Sequence, residues 1–125
     1  MKRLIVLALF LSSQAFGWSC DEPKGFIEKN GVLKVSKECL DHVCHYSVTA
    51  PHTLEDRAFS GFELSKEIDG RPVITTTLSS NKEGANFYTK VVVNAGHEAA
   101  LYVNAIYLNF ALGCTITATA ALDET

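Results

Sequence analysis

Residues 39–45 read Cys-Leu-Asp-His-Val-Cys-His, and this stretch concentrates the side chains best able to do chemistry. Two thiols with a histidine directly after the second are the parts of a covalent haem attachment. In such a site both sulfurs bond the cofactor and the histidine ligates its iron. The usual spacing is Cys-x-x-Cys-His; here four residues separate Cys39 from Cys44. His42, His45 and Asp41 are also candidate ligands for zinc or copper, since imidazole is the commonest metal ligand. The third possibility is a disulfide that closes a small loop and leaves the histidines in water.

Strand parity and compartment choose among the three. Cys44, Tyr46 and Val48 alternate with His45, Ser47 and Thr49. On a strand the two sets point to opposite faces. A core-facing Cys44 therefore turns His45 outward, where a buried haem ligand would not sit. His42 and His45 share a face on a helix but not on a strand. Thiols in an exported chain are oxidised rather than held as ligands. The expectation is a Cys39–Cys44 disulfide, no metal and no cofactor, with His42 displayed at the loop tip for recognition. A metal- or haem-carrying module centred on Cys39, Cys44 and His45 is the alternative.

Export is read from the N-terminus. Lys2 and Arg3 precede an apolar run from Leu4 to Leu11, and Ala15-Phe16-Gly17 then sets small residues where signal peptidase cuts. Residues 1–17 read as a signal peptide and residues 18–125 as a single domain. The apolar run is shorter than the roughly 20 residues that cross a bilayer, so no stable membrane anchor is expected. All four cysteines lie beyond the cut. An even count in an exported chain implies two disulfides with three possible pairings. Cys39–Cys44 with Cys20–Cys114 is favoured, because it closes one tight loop and ties the mature N-terminus to the last strand. No Asn-x-Ser/Thr sequon occurs. The expected location is secreted, periplasmic or extracellular, with the style of the leader leaning towards a periplasm.

The chain carries 11 basic and 14 acidic residues, a net charge of −3, and no basic cluster. That balance argues against nucleic acid or an anionic membrane surface as partner. No Gly-x-Ser-x-Gly elbow and no glycine-rich phosphate loop is present. Phe59-Ser60-Gly61-Phe62 reads as a strand with a bulge, and Glu63 and Glu67 as a solvated edge.

The elements that must position these residues are strands. Turn signals recur at short intervals, among them Asn30-Gly31, Asp69-Gly70 and Lys82-Glu83-Gly84. Between them lie β-rich segments near 24–29, 31–37, 43–50, 57–66, 72–79, 85–94, 99–110 and 113–122. Seven or eight short strands at this spacing predict an all-β antiparallel sandwich, or a partly open barrel. Residues 37–42 and 53–58 could each carry a helical turn.

In the last segment Cys114, Ile116, Ala118, Ala120 and Leu122 alternate with threonines 115, 117 and 119. A two-residue turn at Leu112-Gly113 pairs Ile116 with Asn109 and Ala118 with Tyr107. A three-residue turn at Ala95-Gly96-His97 pairs Asn94 with Glu98 and Val91 with Leu101. Both place Phe87, Val91, Val93, Leu101, Val103, Ala105 and Tyr107 on the core side of a three-stranded meander. The other side then shows Tyr88, Val92, Tyr102, Ile106, Leu108 and Phe110 beside the threonines. Such a face is too apolar to be an ordinary solvated one, so either a second layer covers it or it binds something.

The functional expectation is a small non-enzymatic binding or inhibitory protein that acts on a protein partner. Tyr88, Tyr102, Ile106 and Phe110 are its contact residues, with His42 displayed at its own loop tip, and tyrosine is the natural anchor. A homo-oligomer is possible. The remaining alternatives are a hydrolase using dispersed carboxylates and a structural subunit that adds strands to a partner's sheet.

Overall fold

The structure is a computed structural model that describes residues 26–109 and 113–124. Residues 1–17, Cys20 and Phe110 lie outside the described residues. Ten strands follow in chain order: β1 (Phe26–Asn30), β2 (Lys34–Leu40), β3 (Val43–Pro51), β4 (Thr53–Leu54), β5 (Arg57–Ile68), β6 (Arg71–Leu78), β7 (Asn81–Glu83), β8 (Asn86–Asn94), β9 (Leu101–Leu108) and β10 (Thr115–Ala121). A 3₁₀ turn, Leu122–Glu124, ends the described chain. The fold is all-β, as the spacing of apolar and turn residues predicts. The eight long strands fall on the eight expected segments, and β4 and β7 are additional short ones.

Local turn chemistry sets the hairpins. Asp41-His42, Glu55-Asp56 and Asp69-Gly70 all hold positive φ, from 47° to 77°. Positive φ at both central residues is the two-residue hairpin geometry that matches strand twist. The segments 37–42 and 53–58 are thus strand and tight turn, not helical turns. At Phe59-Ser60-Gly61 the pairing of β5 with β9 slips by one residue, the bulge expected there.

The strands form two sheets. The smaller has the order β2-β3-β8-β7. The larger runs β1-β10-β9-β5, with β4 and β6 sharing the far side of β5, and curls into a half-barrel. The described chain crosses between sheets after β1, β3, β6 and β8. Strands β2 to β10 thus follow a Greek-key order in two facing sheets. In this chain β1 first runs parallel to β10, and β2 then turns back onto β3.

That topology corrects the expected meander. β8 pairs with β3, not with β9, so the 95–100 segment is an arch between sheets rather than a hairpin. The β9–β10 register is also shifted by two residues: Ile116 lies opposite Tyr107, and Ala118 opposite Ala105. The connection from β9 to β10 is longer than two residues. A shift of two keeps every side chain on its face, so the expected core set survives the wrong pairing.

Val91, Val93, Val103, Ala105, Tyr107, Ile116 and Ala118 are all buried, together with Cys44, Tyr46, Val48, Ala50 and Phe62. They fill the space between the sheets. At one end Phe59 stacks on Phe87 of the opposite sheet, with centroids 4.4 Å apart, and meets Phe62 and Tyr107 edge-on. Such pairs add about 0.5–1.5 kcal/mol each beyond area burial. Arg57 is buried nearby; its Nε donates to the Cys114 carbonyl at 2.7 Å and its Nη1 to the Glu55 carbonyl at 3.0 Å.

Candidate functional site

The Cys-Leu-Asp-His-Val-Cys-His stretch is the β2–β3 hairpin. Cys39 and Cys44 lie directly opposite one another, with Cα atoms 4.0 Å apart, and are joined as a disulfide. Such a closure stabilises by about 2 kcal/mol in the chain-entropy account. Their thiols are therefore not available to a haem. Cys44 is buried, His45 is exposed beside Glu38 and Val92, and His42 stands exposed at the turn. Among the described residues no three His, Cys, Asp or Glu side chains come together as a metal site. Cys114 is buried and not free.

The expected aromatic–threonine face does not exist as one surface. Because β8 belongs to the smaller sheet, Tyr88 lies on that sheet's outer face, beside Ser47, Thr49, Glu83 and Lys90. Tyr102 and Ile106 lie on the outer face of the larger sheet. Threonines 115, 117 and 119 accompany them, as expected. The contact set therefore divides between opposite sides of the molecule, and His42 is at neither centre.

What the larger sheet builds instead is a groove of about 540 Å³ across its curled outer face. Five strands line it. β1 supplies Asn30, β10 the three threonines and β9 Tyr102, Asn104 and Ile106. β5 supplies Glu63, Ser65 and Glu67, and β6 supplies Pro72 and Thr75. Its floor is a hydrogen-bonded row across three strands. Asn104 Nδ2 donates to Ser65 Oγ at 3.0 Å, and Thr119 Oγ1 donates to Asn104 Oδ1 at 3.0 Å. Both ends of the Asn104 amide are thereby held, which fixes its orientation. Ser65 is only 7% exposed although it faces outward.

Glu63 and Glu67 are not on a solvated edge, because β5 is flanked by β9 on one side and by β4 and β6 on the other. Both residues line the groove, and among the described residues no lysine or arginine lines it. Their backbones are about 13 Å apart at the strand rise of ~3.3 Å per residue.

Sequence reasoning found Tyr102, Ile106 and the threonines through period-2 alternation. It missed Ser65 and Asn104. Asn104 was the one visible signal, a polar residue between two apolar ones on the same face. Comparison with protein-family models, curated proteins and solved structures finds no match for the chain. The fold and groove define the class that can be stated: an all-β two-sheet sandwich with an acidic groove on its curled sheet.

Proposed function

We propose that the chain is a small exported, non-enzymatic binding or inhibitory protein that takes an extended, basic segment of a protein partner into the groove of its larger sheet. The observation that carries this reading is the groove lining. Tyr102 and Ile106 offer apolar contact, Asn30 and the threonines offer hydrogen bonds, and Glu63 and Glu67 supply negative charge with no cation among the described lining residues. Charge complementarity of this kind selects a positive partner and speeds its encounter. The mature chain begins after residue 17 in this reading, works in an oxidising periplasmic or extracellular setting, and carries a second disulfide, Cys20–Cys114. The Cys39–Cys44 bond fits such a compartment.

The test is an NMR titration of the mature protein with an extended lysine-rich peptide and with its glutamate-substituted counterpart. The basic peptide shifts amides of 63–67, 102–106 and 115–119, and Glu63→Gln with Glu67→Gln weakens it about tenfold, roughly 1.4 kcal/mol. Equal response to both peptides, or shifts confined to the Tyr88 face, would sink the reading.

A further inference from the structure

We infer that β6 is a self-pairing edge, through which two copies of the chain join their larger sheets about a two-fold axis at Thr76. Sheet edges expose unpaired N–H and C=O groups, and proteins guard them with charges, proline, bulges or brevity. Among the described strands the other edges are guarded. β1 carries Glu28 and Lys29, β2 carries Lys34, Lys37 and Glu38, β7 is three residues long with Lys82 and Glu83, and β4 is two residues long. β6 is eight residues long and among the described strands pairs only with β5. Its guards are confined to its start, at Arg71, Pro72 and the bulge near Val73. From residue 74 the strand reads Ile-Thr-Thr-Thr-Leu, uncharged and of high β-propensity.

Around Thr76 the strand is exposed on both faces, while Leu78 at its end packs against the core. Thr75 and Thr77 face the groove side, opposite Ser65 and Glu63, whereas Thr76 has the parity of the core side, opposite Leu64. All three threonines are exposed.

A second copy is the occupant that fits this edge. Antiparallel pairing about Thr76 sets Thr76 against Thr76 of the copy, Thr75 against Thr77, and Ile74 against Leu78. Every pair is uncharged, and threonine pairs and β-branched pairs are favourable cross-strand neighbours. β2 offers the contrast: its central residue is Lys37, so self-pairing there would oppose two ammonium groups. Because Thr75 also lines the groove, the two grooves of such a pair share a wall. The inference does not depend on what the groove binds.

Sedimentation of the mature protein from about 1 µM to about 1 mM tests it, a range that brackets weak dimers. The wild type shifts from monomer to dimer across the series. Thr76→Lys, which opposes two like charges at the axis, stays monomeric at concentrations at least about tenfold higher. Thr76→Val dimerises as the wild type does, and the melting curves of the three superimpose. A wild type that stays monomeric throughout overturns the inference, including one whose residue 74–78 amides respond only to a foreign extended peptide. Dimerisation of Thr76→Lys equal to wild type also overturns it, by placing the contact elsewhere.

Discussion

The Tyr107 hydroxyl donates to the carbonyl of Pro51 at 2.7 Å. Tyr107 is on β9 of the larger sheet and Pro51 ends β3 of the smaller, so one side chain bolts the two layers together at the point where the chain crosses between them. Tyr107→Phe leaves that carbonyl without its donor and should lower stability by about 1–2 kcal/mol at about pH 8 in urea denaturation.

The same residue gives a pH dependence. Burial pushes the Tyr107 phenol up to about 12. In the unfolded chain it ionises near 10. Between those values the unfolded state gives up a proton that the folded state keeps, so stability falls as pH rises. The contribution is complete below about pH 10 and is lost through about pH 12. Wild type should thus lose about 1–2 kcal/mol of its advantage over Tyr107→Phe across that window. A gap that is constant, or widens, contradicts the assignment.

Two of the tight turns hold side chains where glycine fits better. His42 sits at φ 66° and Asp56 at φ 63°. His42→Gly and Asp56→Gly should each raise stability by about 0.5–1 kcal/mol, read as a higher melting temperature. Gly70→Ala, at φ 77°, should do the reverse by about 1 kcal/mol.

Arg57 anchors the β4–β5 turn to the start of β10 through two carbonyls. Arg57→Ala leaves both acceptors unmatched and should cost about 2–3 kcal/mol. Arg57→Lys should restore little, because an ammonium cannot reproduce the fork of the guanidinium. Chemical denaturation of the two variants decides it.

Groove and core separate under substitution. Tyr102 and Ile106 are half-buried on the outer face, whereas Ile116 is fully buried between the sheets. Tyr102→Ala and Ile106→Ala should each cost about 1 kcal/mol or less, and Ile116→Ala about 2–4 kcal/mol. If the groove variants unfold the domain, the outer face is a core surface and the binding argument loses its basis.

The legible part of this fold was the part carried by short-range periodicity. Alternation along 43–50 and 113–122 is a property of a single strand, so the buried set could be read before any pairing was known. Pairing itself was not legible. Asn94-Ala95-Gly96-His97 has the residues of a hairpin turn, yet the chain uses it as an arch, with Gly96 at φ 91° and Ala100 at φ 63°. Turn residues state that the chain bends, not which sheet it bends towards. The groove follows the same logic. Tyr102 and Ile106 announced an outward apolar pair, but Asn104 meets Ser65 only because β9 pairs with β5, 39 residues earlier in the chain. Tyr88 was misassigned for the same reason, since its face is decided by β3.

The parallel pairing of β1 with β10 sets Phe26 beside Thr115 and Asn30 beside Thr119. In a chain delivered N-terminus first, β1 arrives earliest among these strands and finds its neighbour last. Contacts this distant in sequence make folding slow, and an unpaired strand is exposed to wrong partners while it waits. The finished sandwich is therefore assembled across a vulnerable interval whose length is set by the delivery of the final strand.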